Sequence, residues 1–454
     1  MDKYLSRSID QALLEWKDNP RRKPLLVRGA RQVGKSSTIR HLGKNFKYFL
    51  EVNVERNPEV MEFFKGSRDV KSIAAKLSDF FNVPVVPGET LLFLDEIQKC
   101  EDVIHSLWFF KEDYPELHVI AAGSLLEFAL KNLSSFGVGR VSSLFVYPMS
   151  FDEFLTATRQ EGLLRIKRNS SSTNPLPEAF YNRLVEAFRS YMLVGGMPEA
   201  VATYTETGSY RYSSDIVNEI IQGYQDDFAK YGAKANPLLL RQTLISVAHQ
   251  AGAKFVYSRV EGQYRSAEVK VALEMLKDAG LIIPTYHTDA NGVPLGAEIN
   301  ERVVKYLIHD TGVLLGILGI DDDIDDSIKE MMVADSIDLV DKGHVAEMMA
   351  GLELVKYSSP QKRHQLYYWQ NMNKGTCAEV DYVIARSGSI VPIEVKSGVK
   401  GSMSSMYSLM RNPQKHIEMG IRCSLENFGT FASPDGKKID IIPLYAISNL
   451  FAEK

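Results

Sequence analysis

Leu25-Leu26-Val27-Arg28-Gly29-Ala30-Arg31-Gln32-Val33-Gly34-Lys35-Ser36-Ser37 is the stretch from which the fold is read. Leu25 to Val27 reads as a short buried strand, and Gly29-x-x-x-x-Gly34-Lys35-Ser36 then turns into a helix. Gly29 and Gly34 free the backbone to curl until successive N–H groups face one anion. A helix starting near Lys35 adds the positive end of its dipole. Residues Gly29, Ala30, Arg31, Gln32, Val33, Gly34, Lys35, Ser36 and Ser37 therefore make a phosphate cradle, the P-loop, in strand–loop–helix context. Lys35 is expected on the β- and γ-phosphates of ATP, and the Ser36 hydroxyl on Mg²⁺.

Composition sets the frame around this motif. A chain of 454 residues holds about three domains of ordinary size. With 45% hydrophobic and 24% charged residues it has the make-up of a soluble globular protein. A formal net charge of −4 gives no global attraction to nucleic acid, so any DNA contact has to come from local basic faces. Cys100, Cys377 and Cys423 lie far apart, which suggests neither a disulfide framework nor a zinc site. The start is unlike a signal peptide and no apolar run reaches membrane-spanning length, so no membrane role and a reducing cytoplasm are expected.

Ahead of the cradle, Leu5, Ile9, Leu13, Leu14 and Trp16 recur at helical spacing, and Asn19-Pro20 ends the helix. After it, Phe49 to Val54 reads as a second strand. Leu91-Leu92-Phe93-Leu94 is an unbroken apolar run ending in Asp95-Glu96, as in a parallel strand covered on both faces. Ligand groups gather at the carboxyl ends of such strands. Asp95 there is expected to hold the Mg²⁺ shell and Glu96 to polarise the attacking water; a plain helix cap is the alternative for Asp95. His118 to Ser124 is the next strand and turn. Ser124 either feels the γ-phosphate or caps a helix. Phe136-Gly137-Val138-Gly139-Arg140 leads into a last strand, Val141 to Tyr147. Arg140 either stabilises transition-state charge, in cis or in a neighbouring subunit, or is a solvated loop arginine.

Arg31-Gln32-Val33-Gly34-Lys35, Leu94-Asp95-Glu96-Ile97-Gln98, Ala122-Gly123-Ser124 and Gly139-Arg140, followed by Tyr147-Pro148-Met149-Ser150-Phe151-Asp152-Glu153-Phe154, resemble a large group of bacterial and archaeal AAA+-type P-loop ATPases. Those proteins end in a domain of unknown function related to restriction-endonuclease folds. The resemblance covers nearly the whole chain. It departs at Ala30, where the group has Pro, and at Ser36, where it has Thr. It implies ATP binding and hydrolysis through Lys35, Ser36, Asp95 and Glu96, and transfers a role to Arg140 less directly.

On this reading the P-loop core spans 1–160 and a helical lid 161–232. Lys167 to Pro177 is a loop, helical periodicity returns from Glu178 to Tyr204 and from Ser214 to Lys230, and Met192 to Pro198 resembles the lid turn, with Gly195 as a helix cap. Residues 233–318 suggest a winged helix: a helix over Leu238–Gln250, an extended Phe255-Val256-Tyr257, a helix over Ser266–Ala279, and a hairpin wing turning at Asp289-Ala290-Asn291-Gly292. Arg265, Lys270 and Lys277 would be its DNA contacts, diluted by Glu268 and Glu274; a protein-binding spacer is the other reading. Asp321 to Asp326 marks an acidic linker, 319–342.

The last segment, 343–454, pairs a helix carrying Glu347 with strands at Leu366–Trp369, Glu379–Ile384 and Ile390–Lys396. Residues two apart on a strand share a face, so Glu394 and Lys396 project together. Asp381 and Glu347 would meet them, three carboxylates able to hold Mg²⁺ with Lys396 steadying the nucleophile or the phosphorane. The set resembles the restriction-endonuclease pattern Glu…Asp…Glu-x-Lys. A relic fold kept for binding, or merely exposed strand residues, are the competing readings. Thr376-Cys377 is expected in a loop.

The expected whole is an α/β protein with an AAA+-like parallel sheet, a helical lid, a winged helix and a C-terminal restriction-endonuclease-like domain. It would bind and hydrolyse ATP with Mg²⁺ and act on duplex or branched DNA, as a homo-oligomer, a hexamer ring if Arg140 works across an interface. A nucleotide-gated switch and an ATP-regulated Mg²⁺ nuclease are the alternatives.

Overall fold

The computed structural model describes residues 4–132, 139–231, 236–319, 342–371, 378–398 and 401–451. The acidic run Asp321–Asp326, Thr376-Cys377 and Phe136-Gly137-Val138 lie outside the described residues. No helix among the described residues is long and apolar enough to cross a membrane. The chain divides into two compact units, one built chiefly from Met1–Tyr147, the other chiefly from Pro148 onward.

The first unit is a five-stranded parallel sheet. Its strands are β1 (Leu25–Arg28), β2 (Tyr48–Asn53), β3 (Thr90–Asp95), β4 (His118–Ala122) and β5 (Ser142–Phe145), in the order β2-β3-β4-β1-β5. All of β3 and β4 is buried, which is why both read as continuous apolar runs. Leu26, Leu92, Leu94, Val119 and Ala121 share one core with Val70, Ile73 and Leu77 of the helix Val70–Phe81 and with Val103, Leu107 and Phe110 of the helix Glu101–Asp113. Asn53 pairs with Asp95 and Leu94 with Ala121, so the carboxyl ends of the strands lie level along one edge. The N-terminal helix, Ile9–Asp18, buries Ile9, Leu13 and Trp16.

The second unit opens with the helix Phe151–Ala157. Ser150 accepts from the Glu153 N–H and the Glu153 carboxylate accepts from the Ser150 N–H, a capping box that seals its first turn. A helix at Glu161–Arg168 occupies the start of the expected loop. Helices follow at Glu178–Val194, Pro198–Thr207 and Tyr210–Asp227, the first stopped by Gly195 at φ 78° and the second begun by Pro198. The region read as a winged helix has its two helices, Pro237–His249 and Ser266–Asp278, and its hairpin, β6 (Ile282–Thr288) and β7 (Ile299–Ile308). The hairpin is no free wing. β6 also pairs in parallel with β8 (Leu366–Gln370), and β9 (Glu379–Val380) completes a sheet β7-β6-β8-β9. The hairpin and the C-terminal segment thus share one sheet rather than lying in separate sheets.

A second sheet, β10-β11-β12-β14-β13, contains β10 (Tyr382–Arg386), β11 (Ser389–Val395), β12 (Met419–Ser424), β13 (Gly429–Ala432) and β14 (Lys438–Pro443). Ser387 and Gly388 both have positive φ and close the two-residue turn between β10 and β11. The strand expected over Glu379–Ile384 is broken at Asp381: Val380 pairs with Trp369, whereas Tyr382 pairs with Ile393. One stretch of chain therefore serves two sheets, and Asp381 sits at the changeover.

Candidate nucleotide site and a buried charge cluster

In the first unit the cradle has the backbone its glycines imply. Gly29 stands at φ 146° and Gly34 at φ 92°, with Gln32 at φ 64° between them. A Cβ on Gly29 would collide with the Val146 carbonyl oxygen, so close approach as well as φ demands glycine there. Ala30 and Val33 are buried, while Arg31, Gln32 and Ser37 are exposed. Arg7, which the sequence reading missed, pins the loop: its guanidinium donates to the carbonyls of Val33 at 3.0 Å and Tyr147 at 2.7 Å.

Lys35 opens the helix Lys35–Gly43, and its ammonium folds back to donate to the Gly29 and Ala30 carbonyls at 3.0 and 2.6 Å. Burial pushes it down to about 8, against the pull of Glu96 and Asp95 and with a further push from Arg31. A bound triphosphate would restore the proton. Without nucleotide, Lys35 turns neutral as pH rises through about 8; with it, the charge stays. Binding then takes up a proton in alkali, and ATP affinity is expected to fall by up to about tenfold per pH unit above 8. Calorimetry with a non-hydrolysable ATP analogue from pH 7 to 9.5, in buffers of differing ionisation heat, checks this. Flat affinity without proton uptake would mean that Lys35 keeps one charge state.

The Ser36 hydroxyl donates to Asp95 Oδ2 at 3.3 Å, as does the Asn53 side-chain amide. Burial first, then the neighbouring Glu96, raises Asp95 above the usual carboxylate range. These oxygens fit a Mg²⁺ ion, which prefers one or two protein oxygens and keeps the rest of its shell for water and phosphate. When bound, it would neutralise charge on the β- and γ-phosphates. Asp95 Oδ1 accepts from the Glu96 N–H at 3.1 Å.

Glu96 lies just past β3 in the left-handed region, φ 55°. Its Oε2 accepts from the Gln98 amide at 2.5 Å, the Ser124 hydroxyl at 3.0 Å and the Ser124 N–H at 3.3 Å. Ser124 thus orients Glu96. Gln98 was quoted in the sequence but given no role; it is the second holder of that carboxylate, and a Cβ on Gly123 would strike its side-chain oxygen. Arg140 is exposed, donates to Glu112 at 2.8 Å and lies 4.1 Å over the Trp108 ring. Both groups that engage Arg140 belong to the helix Glu101–Asp113 and not to the cradle.

In the second unit, Arg265 and Lys270 are exposed on and beside the helix Ser266–Asp278, and Lys277 is paired with Glu274. The C-terminal carboxylates come together, with a partner that the sequence reading did not include. Lys305, from β7 and 1% exposed at its side chain, donates to Glu347 Oε1 at 2.8 Å and to Glu379. Its ammonium also lies 5.0 Å from the Tyr368 ring centre. Glu347 projects from the helix Lys342–Lys356. Asp381 Oδ2 accepts from the Val395 N–H at 2.7 Å, and Lys396 donates to Glu394 Oε1 at 2.7 Å. Glu394 Oε2 is buried and makes no hydrogen bond.

Burial raises Glu347, with Lys305 drawing it back and Asp381 pushing it further. It likewise raises Glu394, with Asp381 adding to the shift. Burial lowers Lys305, but Glu347 and Glu379 outweigh it, so the ammonium is held charged. Asp381 acts on both Glu347 and Glu394, so the residues of the expected Mg²⁺ set lie near one another, with Lys305 among them. Among the described residues no group of three or more His, Cys, Asp or Glu side chains is placed to hold a metal ion. The positive charge facing Glu347 is a lysine.

Residues 21–155 match the family model described as AAA domain. Residues 185–324 and 342–447 match two models each described as a domain of unknown function, DUF8612 and DUF4143. No curated protein matches the chain. Among solved structures it is similar to the Aeropyrum pernix ORC1 protein in complex with DNA, at 12% identity over 71% of this chain and 94% of that one, TM-score 0.29. It is also similar to Drosophila ORC bound to DNA, at 18% identity over 69% and 84%, TM-score 0.25. At those scores neither likeness carries an argument. The family match, the five-stranded parallel sheet and the glycine-bracketed cradle agree that the first unit has a P-loop α/β fold of the AAA kind.

Proposed function

We propose that this chain binds and hydrolyses ATP and couples the turnover to work on DNA. The observation that carries the ATPase reading is the convergence of Lys35, Ser36, Asp95 and Glu96 at the carboxyl edge of one parallel sheet. Lys35 and the cradle amides take the β- and γ-phosphates, and Ser36 with Asp95 would hold Mg²⁺. Glu96, aimed by Gln98 and Ser124, takes the proton of the attacking water. In a ring of copies, Arg140 reaches a neighbour's γ-phosphate.

DNA is the proposed partner because Arg265 and Lys270 lie exposed on and beside a helix that leads into a hairpin. Lys277 adds little, its charge being met by Glu274. Lys305 among the C-terminal carboxylates favours a C-terminal segment that binds rather than cuts.

ATPase rates with and without linear, forked and four-way DNA, across a salt series, test the reading. DNA is expected to raise the rate, and the rise to shrink with salt. Lys35→Ala should remove hydrolysis under all conditions. Replacing Arg265 and Lys270 by Ala should lower the salt slope of DNA binding by about 1 for each lost phosphate contact. Turnover that no DNA form alters would favour the nucleotide-gated switch.

A further inference from the structure

The C-terminal cluster holds four carboxylates, Glu347, Glu379, Asp381 and Glu394, and two ammonium groups, Lys305 and Lys396. Lys396 stands on the same strand run as Glu394 and pairs with it, as the Glu-x-Lys spacing requires. Lys305 belongs to none of that pattern. It arrives on β7, is almost wholly buried, and gives one N–H to Glu347 and one to Glu379 while the Tyr368 ring lies against it. A lysine is rarely buried so fully unless its charge is matched. Here two carboxylates and an aromatic face match it.

We propose that Lys305 is the resident cation of this site: its ammonium balances the charge that a divalent metal balances in a nuclease of the Glu…Asp…Glu-x-Lys pattern, and the chain as it stands takes no metal there. Two observations support this independently. The first is the placement of the ammonium on Glu347, one of the carboxylates a metal would need. The second is the closure around that ammonium: Glu379 takes another of its N–H groups and the Tyr368 ring lies against it, so the lysine is held inside the cluster. A fixed unit charge about 4 Å away lowers a cation's affinity by roughly a thousandfold per unit of ion charge at an effective dielectric constant near 20. Lys305 sets that penalty against the pull of the carboxylates on Mg²⁺. The inference is independent of the nucleotide site, and a failure of either leaves the other standing.

Mn²⁺ titration of the nucleotide-free full chain tests it, read by the electron paramagnetic resonance of the free ion. The wild type and Asp381→Asn are expected to take up the same amount of Mn²⁺, because none of it binds at Asp381. Lys305→Met should gain one further equivalent, at an affinity at least about a thousandfold above any wild-type uptake there, and lose it again when Asp381→Asn is added. Lys305→Met strips Glu347 and Glu379 of their counter-charge, so its fold is followed by circular dichroism, with Lys305→Gln beside it. Recovery of the fold on adding Mn²⁺ supports the proposal. Any of three results overturns it: Asp381-dependent Mn²⁺ uptake by the wild type, Mg²⁺-dependent DNA nicking by the wild type, or both lysine variants failing to gain Mn²⁺, folded or not. The wild-type arm decides even if neither variant can be purified.

Discussion

Replacing Glu96 by Gln is expected to slow ATP turnover by about 10² to 10⁴-fold, the usual worth of a positioned general base, while ATP stays bound. The geometry explains why the substitution is clean. Glu96 Oε2 accepts three hydrogen bonds, from the Gln98 amide and from the hydroxyl and N–H of Ser124. A carboxamide oxygen can accept the same bonds, so the loop keeps its shape and the left-handed backbone at residue 96 is undisturbed. What disappears is the basic lone pair. Steady-state hydrolysis and nucleotide binding, measured on the same preparation, separate the two effects. Turnover at the parent rate would remove Glu96 from the role of base.

Asp152→Ala should destabilise the second unit by about 3–5 kcal/mol, the cost of leaving one partner of a buried pair without the other. Lys167 is fully buried and donates to Asp152 Oδ1 and to the Ser448 hydroxyl, the latter at 2.6 Å. Asp152 also accepts from the Tyr357 hydroxyl at 2.9 Å and from Arg168 at 3.1 Å. Burial alone would raise Asp152, but Lys167 outweighs it and holds the carboxyl below its ordinary value. A depressed carboxyl contributes stability that is present above its unfolded value, near 3.9, and is lost as acid protonates it. Arg168→Ala is the control: its side chain is 60% exposed, and surface pairs contribute about 0–1 kcal/mol. Urea unfolding of the two variants at pH 7 measures the difference. Equal, small losses would show that the buried pair does not hold the fold.

Ser150-Phe151-Asp152-Glu153 thus gains a physical account. Ser150 and Glu153 box the helix start, the Phe151 N–H donates to Glu353 at 3.1 Å, and Asp152 meets Lys167. The box was written in the sequence, in the Ser-x-x-Glu spacing. The helix Glu161–Arg168 was harder to see, because its buried face is Leu163, Leu164 and Lys167, and a lysine in the inward position breaks the apolar period. The nucleotide site was legible for the opposite reason. Buried parallel strands leave uninterrupted apolar runs, and Asp95-Glu96 follow one of them directly. Lys305 was not legible. Its partners lie 42 and 74 residues further along the chain, and nothing local to β7 announces an acidic pocket. Arg140 shows a further limit: a motif places a residue on a loop, but the partner that holds it, here Glu112 and Trp108, depends on the packed fold.

The pairing of Thr285 with Leu366 ties the order of synthesis to the order of folding. As the chain leaves the ribosome, the hairpin emerges long before its parallel neighbour. Until that neighbour arrives, the outer rim of β6 offers bare amides and carbonyls to any passing strand. Nascent chains stalled in this interval are the ones a chaperone would have to shield.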